Sequence, residues 1–437
     1  MSMRLLSVIF FVATALICSA KAETVLTVEN VREMALEYNR QYLAAKKNLE
    51  KARGEIISVR SGALPQVSLN GYYARNLLDR ELFFGGEKIP ISLNNDFNLA
   101  LTFSQPLYVG GKVGAAMKIA RYYEEYSKEI LRQVEAEIVF QAESIFFAAA
   151  LAESNLEVIR KAYEQLNYNL EVVEKQYGQG MISEYERLRA RVEKGNLEPR
   201  LIGAESEVSL AQKRLKSFLG LPLNEEITLA IDLSDTSIVA LPTIDSLEKA
   251  ALDNRPELRQ ADLQKKVYDK VVRIAKGYWI YPNVSFNTTY QVTASSDDFK
   301  LREREVSKSW STALVINIPL FDGGRTIGEV RKARVDYYNA MLAEQQALDD
   351  IRLEVEQAND NLQMARKALE VQKETIAQAE EGLRIANLRY QSGFGTQLEV
   401  LSAQTALTDA RTNLARAIYN YRLAKAAIKK AISVELL

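Results

Sequence analysis

The chain contains few of the side chains that most enzymes use for catalysis. It has no histidine, and its one cysteine is Cys18. Imidazole bases and zinc sites of the usual kind are therefore unavailable, and Cys18 is the one residue that could supply a thiol nucleophile. The remaining candidates are carboxylates and phenols, of which Glu186, Tyr390 and Glu399 stand out. No cluster typical of a hydrolase surrounds them, so we expect a protein that is not an enzyme and that binds no cofactor or metal.

A doubled motif offers the other chemical candidate. The sequence reads PLYVGGK at residues 106–112 and PLFDGGR at residues 319–325. The first copy contains part of a phosphate-binding loop, but it lacks the upstream glycine, and Lys112 is followed by Val113. Proline cannot donate to a sheet ladder and glycine permits a sharp turn, so each copy predicts the end of a strand and the start of a helix. The junction residues are Pro106, Gly110, Gly111, Pro319, Gly323 and Gly324.

The N-terminus predicts export from the cytoplasm. Arg4 precedes an apolar run over residues 5–17, and small residues at 20–22 suit signal cleavage before Glu23. A membrane anchor is the alternative, but the run is shorter than the about 20 residues that a spanning helix needs. Lipidation of Cys18 is a further alternative, although the residue before it is not small. The formal net charge of -1 argues against nucleic acid as a partner.

The doubled motif belongs to a duplication of the chain. The same offset of 213 residues relates Tyr177 to Tyr390. Upstream, LPQVSLN at residues 64–70 corresponds to YPNVSFN at residues 281–287 at a slightly larger offset, so the insertions fall in loops. A self-similarity of this kind predicts two halves with the same order of elements.

Each half contains two stretches that alternate between apolar and polar residues, which indicates strands. The predicted strands cover about 66–75, 97–105, 283–292 and 310–318. A length of about ten residues, with aromatic residues such as Tyr281 and Trp310 at the ends, fits strands that cross a membrane. A half-buried sheet in a soluble protein predicts the same alternation.

After each glycine pair the apolar period becomes helical. Apolar residues recur at alternate spacings of three and four along residues 156–177 and 369–390, as in coiled coils. The predicted long helices cover about 111–177, 182–219, 324–390 and 395–432. At 1.5 Å per residue the first would extend about 100 Å.

Four strands are too few to close a membrane barrel. Known barrels need at least eight, and an open edge in lipid leaves backbone groups unpaired. The chain is therefore expected to form oligomers. Two, three or four copies would give eight, twelve or sixteen strands, and the larger rings leave room for passage.

Together these features resemble the TolC family of outer-membrane efflux proteins over essentially the whole mature chain. They include the PLYVGG and PLFDGG junctions and the turns YGQGMIS and YQSGFGT, which are individually short but make the match specific by their joint order and equal spacing. The resemblance implies a mainly α-helical fold with a membrane β-barrel portion, built from duplicated strand-strand-helix-helix halves. A homotrimer would form a twelve-stranded barrel continued by a coiled-coil periplasmic tunnel. The implied divisions are a signal peptide at 1–22, a first repeat at 23–220, an equatorial linker at 221–246 and a second repeat at 247–437.

The function that the resemblance implies is a passive exit duct in the outer membrane of a Gram-negative bacterium. Its partners would be an inner-membrane transporter, a periplasmic adaptor protein and outer-membrane lipid, and its cargo small toxic compounds or secreted proteins. The residues leave efflux and type I secretion as alternatives, and no Met-, Cys- or His-rich segment indicates heavy-metal cargo. An exported coiled-coil scaffold or adhesin without a channel is the alternative from another class.

The resemblance also assigns roles at the two helix turns. Tyr390 matches the family's linking tyrosine at the periplasmic gate, Glu186 its acidic acceptor, and Glu399 the first of two acidic rings. Two positions depart from the pattern, because Gly395 replaces a linking arginine and Ser402 replaces the second acidic ring. Solvated helix charges and ordinary turn glycines are the alternative interpretations. The implied adaptor contacts are Gln179, Gly180, Met181, Ser392, Gly393 and Phe394.

Overall fold

The computed structural model of the chain describes residues 24–78, 81–90, 94–231, 242–297 and 306–434. The predicted signal peptide and Cys18 lie outside the described residues, as does part of the predicted equatorial linker. Among the helices that the structure describes, none combines the length and the apolar character needed to cross a bilayer.

The described residues form sixteen helices and strands, and the two halves contain them in a similar order. The first half contains β1 (Thr24–Leu26), α1 (Val28–Tyr38), α2 (Arg40–Ser61), β2 (Gln66–Arg75), β3 (Glu81–Phe84), β4 (Glu87–Pro90), β5 (Asn95–Val109), α3 (Lys112–Gly178) and α4 (Glu184–Leu219). The second contains β6 (Ile227–Leu229), α5 (Ile244–Asn254), α6 (Pro256–Ile280), β7 (Asn283–Ser296), β8 (Val306–Asn317), α7 (Arg325–Gln391) and α8 (Gln397–Ile432).

The duplication is most regular in the long helices. Both α3 and α7 have 67 residues, and both α4 and α8 have 36. Each half begins with a three-residue strand, β1 or β6, followed by an 11-residue helix, α1 or α5, and then by a longer helix that leads into a strand. These four helices were not among the predicted elements.

The described residues divide into two compact units. One lies within residues 1–39, 139–239 and 363–426, and its fully buried side chains include Phe146 and Leu369. In this unit β1 pairs in parallel with β6, which places a short strand inside the predicted equatorial linker. The other unit lies within residues 40–138, 240–362 and 427–437 and contains the main sheet, with Leu362 and Ile428 among its buried side chains.

The main sheet has four antiparallel strands in the order β2-β5-β7-β8. Residues directly opposite each other share a face of the sheet. One face is mostly apolar, with rows such as Leu69–Leu101–Tyr290–Trp310. The other is polar, with rows such as Ser68–Thr102–Thr289–Ser311. The polar face is hydrogen bonded internally, for example from the Ser104 hydroxyl to Asn287 Oδ1 at 2.7 Å.

One prediction about this region was wrong. Pro106 does not end its strand, because β5 continues to Val109 and Pro106 pairs with Ser285. The missing N–H is accommodated by a bulge between Pro106 and Tyr108, where the register shifts. The connection between β2 and β5 contains a second hairpin, in which β3 pairs with β4 around Gly85 and Gly86.

Candidate functional site

The turn between α3 and α4 is a Schellman motif, the hydrogen-bonded turn with which many helices end. Gly180 has φ of 72° and occupies the left-handed position that this motif requires. Its N–H donates to the carbonyl of Tyr177 at 2.9 Å, and the N–H of Met181 donates to the carbonyl of Gln176 at 2.9 Å. Met181 is 69% exposed, and Gln179 is exposed beside it.

The turn between α7 and α8 has the same construction. Gly393 has φ of 77° and its N–H donates to the carbonyl of Tyr390 at 3.1 Å, while Phe394 N–H donates to the carbonyl of Arg389 at 3.0 Å. Phe394 is 83% exposed, and Ser392 is exposed too. In many Schellman motifs the apolar residue after the glycine packs back on the helix. Here both such residues, Met181 and Phe394, face solvent.

Glu186 stabilises the start of its own helix. Ser183 is the N-cap of α4, and the N–H of Glu186 donates to the Ser183 hydroxyl oxygen at 3.3 Å. The Glu186 carboxylate accepts in return from the N–H of Ser183 at 3.1 Å. The two residues form a capping box, which satisfies two backbone donors at the helix N-terminus. The carboxylate of Glu186 is therefore engaged within one protomer.

Glu399 occupies the corresponding position in α8 but has a different partner. Its N–H donates to the Thr396 hydroxyl oxygen at 3.3 Å, as in a helix cap. Its carboxylate, however, lies 3.6 Å from Nε of Arg389, in the last turn of α7. Arg389 also donates from Nη2 to the carbonyl oxygen of Phe394 at 3.2 Å. Sequence reasoning missed Arg389, although the replacement of a family arginine by Gly395 was a signal to look for another cation nearby.

The structure does not bring all the predicted gate residues together. Tyr390 is exposed at the end of α7, and in the described part of one protomer no hydrogen bond joins it to Glu186 or Glu399. Ser402 is exposed one turn beyond Glu399. Gly395 packs tightly, because a Cβ placed there would lie 2.9 Å from Arg389 Cβ and 2.9 Å from the backbone nitrogen of Tyr390. Any side chain at residue 395 would therefore displace the turn.

The two strand-to-helix junctions depend on backbone conformations that favour glycine. Gly110 and Gly111 have φ of 65° and 71°, and Gly323 and Gly324 have φ of 67° and 87°. At Gly110 a Cβ would also lie 2.9 Å from Cβ of Tyr281, the C-cap of α6. Pro319 lies two residues beyond the end of β8.

The second junction is capped by a carboxylate that was not among the predicted junction residues. Asp322 accepts hydrogen bonds from the N–H of Gly324 at 3.1 Å and from the N–H of Thr326 at 3.0 Å. The Thr326 hydroxyl donates to it as well, and this hydrogen bond is the main reason that the pKa of Asp322 lies below its ordinary value. The available signal was an aspartate three residues before Arg325, the first residue of α7.

One further carboxylate has a perturbed environment away from the turns. Burial raises the pKa of Glu153 above its ordinary value, and the hydrogen bond that it accepts from Gln212 at 2.8 Å opposes the rise only in part. Among the described residues no group of acidic or sulfur-containing side chains is arranged to hold a metal ion. The described residues present capped helix ends, two exposed turns and a sheet with one apolar and one polar face.

Comparison with known proteins identifies a family with this order of elements. The family model described as "Outer membrane efflux protein" matches residues 31–221 and 247–434. The chain is similar to the outer membrane protein TolC of Vibrio cholerae, with 23% identity over 434 residues that cover 97% of this chain and 94% of that protein.

Two solved structures are similar in fold. The structure of CusC, which was analysed for transmembrane channel formation, aligns with a TM-score of 0.76 at 20% identity and covers 93% of this chain and 92% of that one. VceC from Vibrio cholerae aligns with a TM-score of 0.74 at 20% identity, over 93% and 96% of the two chains. The predicted fold class is confirmed by this likeness and by the repeated halves.

The matched residues include the four strands of the main sheet and all four long helices. The predicted family and the predicted location are confirmed by the same match. The chain therefore belongs to the outer membrane efflux protein family, has the TolC-like fold, and is an efflux channel of the Gram-negative outer membrane rather than an enzyme.

Proposed function

We propose that the protein is the passive exit duct of a tripartite system, joined by a periplasmic adaptor protein to an inner-membrane transporter. The observation that carries this proposal is the four-stranded sheet, which has one apolar face, one polar face and two unpaired edges. No part of the duct needs to supply energy, because conduction follows the gradient that the transporter maintains. The cargo would be small toxic compounds or secreted proteins.

The faces of the sheet support a position in the membrane. Large apolar side chains on one face are exposed in the single protomer, including Trp310 and Leu314. The cationic residues on that face, Arg75 and Lys308, lie toward the loops at one end of the sheet. Lipid would cover the apolar band, and the cations would reach the headgroups. The polar face would then line the passage.

The edges of the sheet support a trimer. The outer edges are β2 and β8, with ten and twelve residues, and nearly every residue in both is exposed. In lipid each unpaired backbone group would cost several kcal/mol, so β2 of one copy would pair with β8 of the next. Proteins of the TolC family form trimeric channels in efflux systems. Three copies of this sheet would close a twelve-stranded barrel.

The helices support contacts between copies as well. Along α7, Val335 and Leu342 are exposed seven residues apart, and Met364, Val371 and Ile385 are exposed at spacings of seven and fourteen. Spacing in multiples of seven is typical of coiled-coil contacts. A neighbouring protomer would cover this stripe, and the helices of three copies would enclose the periplasmic part of the duct.

The two exposed turns are the proposed adaptor contacts. Met181 and Phe394 project from matching Schellman turns, with Gln179, Gly180, Ser392 and Gly393 beside them. The gate would form where the turns of three copies meet, with Tyr390, Glu186 and Glu399 at or near the mouth. The domain organisation proposed from the sequence, with a cleaved signal peptide at residues 1–22 and an equatorial region at 221–246, fits this assembly.

Adjacent residues of β8 test the orientation of the sheet. Leu314→Arg places a charge on the apolar face and Ala313→Arg places the same charge on the polar face. We expect Leu314→Arg to destabilise the membrane-inserted form by about 2–4 kcal/mol if its depth is near the bilayer midplane. Ala313→Arg should insert normally and shift ion selectivity toward anions. The measurements are membrane fractionation, trimer content in detergent, and conductance in planar bilayers.

The same experiment separates the duct from a coiled-coil scaffold. A scaffold would wash off the membrane, would not conduct, and would respond equally to the two arginine substitutions. For the adaptor contacts, Met181→Ser and Phe394→Ser should reduce export while the trimer remains intact. Leu77→Ser is the matched control, since Leu77 is 87% exposed and lies far along the chain from both turns. Equal export by all three variants would remove the adaptor assignment.

A further inference from the structure

We propose that Arg389 neutralises the carboxylate of Glu399, so that the periplasmic mouth of the duct discriminates only weakly between cations and anions. The inference rests on the proposed function, because it needs the turns of several copies to meet at one mouth. In that assembly three copies of Glu399 would be expected to form a negative ring that attracts cations. The structure supplies each of these glutamates with its own guanidinium.

Arg389 has two polar contacts in the turn. Its Nε lies 3.6 Å from the Glu399 carboxylate, and its Nη2 donates to the carbonyl oxygen of Phe394 at 3.2 Å. The second contact holds the guanidinium over the turn, between the last turn of α7 and the first turn of α8. A guanidinium has several donors in one plane and can serve both acceptors at once.

Gly395 makes this arrangement possible. A Cβ at residue 395 would lie 2.9 Å from Cβ of Arg389, so a larger residue would push the arginine stem and the turn apart. The position at which the family resemblance implies an arginine is thus the position that must be empty for Arg389 to pack. The cation is present in the turn, but it comes from the end of α7 instead of from residue 395.

The turn between α3 and α4, which is the counterpart in the first half, lacks both the arginine and the glycine. With the offset of 213 residues, Gln176 takes the place of Arg389 and Ile182 takes the place of Gly395. Glu186, the counterpart of Glu399, is held by its own helix cap at 3.1 Å. The cation and the glycine therefore occur together in the second turn and are both missing from the first.

The charge of the mouth follows from these contacts. A trimer that contained three unpaired Glu399 side chains would present three negative charges, whereas three Glu399–Arg389 pairs present no net charge. Salt screens exposed charges over about 8 Å at physiological ionic strength, so an ion approaching the mouth would experience mainly the charges of the turns themselves. Removing the arginine should expose the carboxylates to permeating cations.

The test measures ion selectivity and cation block of the full-length trimer in planar bilayers. We expect Arg389→Gln to raise the cation-to-anion permeability ratio and to lower the half-blocking concentration of hexaamminecobalt(III) by about three-fold or more. Arg389→Lys should behave like the wild type, because it keeps the charge. Glu399→Gln should shift selectivity toward anions, and the double variant Arg389→Gln/Glu399→Gln should return to the wild-type ratio.

Arg384→Gln is the matched control. Arg384 lies on the same helix and pairs with Glu381 at 2.6 Å in another exposed ion pair, so the variant loses the same charge at a short distance from the turn. If Arg384→Gln shifts selectivity as much as Arg389→Gln, the specific pairing is refuted. A conducting trimer in which Arg389→Gln changes neither ratio nor block refutes the inference alone. A wild-type protein that does not conduct refutes the proposed function, and the inference with it.

Discussion

Replacing Arg255 should weaken the packing of the C-terminal end of α8. Arg255 lies between α5 and α6, immediately before Pro256, which restricts its backbone to an extended conformation. Its side chain is 7% exposed and pairs with Glu257 at 3.0 Å and with Glu354 of α7. It also donates from Nη1 to the carbonyl oxygens of Lys430 and Ala431 at 3.3 and 3.5 Å.

The magnitude follows from what Arg255→Met leaves behind. Methionine keeps most of the apolar volume but removes the charge from two carboxylates and the donors from two carbonyls at the C-terminal end of α8. Breaking a fully buried ion pair costs about 3–5 kcal/mol. Glu257 and Glu354 retain some contact with water, at 27% and 39% exposure of their side chains, so water compensates in part. We expect a loss of about 2–3 kcal/mol in the free energy of unfolding.

The assay is thermal unfolding of the detergent-solubilised protein by circular dichroism, together with hydrogen exchange of the backbone amides. Exchange should accelerate first in residues 427–432 and around the junction of α5 and α6. Arg352→Met is the control, because Arg352 is 54% exposed and lies 3.9 Å from Asp349; it should cost no more than about 0.5 kcal/mol. Equal stability of the two variants, or unchanged exchange at residues 427–432, would refute the reasoning.

Three further predictions concern a buried leucine, a junction glycine and a buried carboxylate. Leu362→Ala empties a fully buried position in α7 and should cost about 2–5 kcal/mol, measured by thermal unfolding. Gly110→Ala should destabilise by about 1–3 kcal/mol because of its positive φ and its close neighbour, whereas Gly54→Ala, in open space within α2, should be neutral or stabilising. Burial raises the pKa of Glu153, so the native state binds its proton more tightly than the unfolded state and loses stability as pH rises from the unfolded toward the folded pKa. Glu153→Gln should remove that loss, which pH-dependent melting would detect.

The parts of the fold that were predictable are those with long, regular patterns. The ends of the long helices lie within two residues of the predicted ones, because glycine turns and heptad spacing mark them on both sides. Three of the four main strands extend further than predicted, since alternation weakens near their ends while hydrogen bonding continues. At Pro106, for example, a bulge allows β5 to continue past a residue that has no backbone N–H to donate.

The candidate site was less predictable, because its properties depend on pairs of residues rather than on residue types. Glu186 and Glu399 occupy equivalent positions in the two halves. Each lies near the N-terminus of a helix, three residues after a hydroxyl side chain that accepts from its N–H. They differ in what their carboxylates contact, and that difference comes from residues on the preceding helix and in the turn. A position-by-position match to a family pattern records Gly395 as the loss of a cation.

The packing of the second turn leads to a different conclusion. A duplicated chain can change the chemistry of one copy of a site without changing the aligned residue, because the partner can be supplied from a neighbouring turn of helix. A Cβ at residue 395 would lie 2.9 Å from Cβ of Arg389, so the glycine and the conformation of the arginine are linked in this turn. The charge at the mouth of such a duct is therefore a property of the folded turn, and counting acidic residues at aligned positions overestimates it.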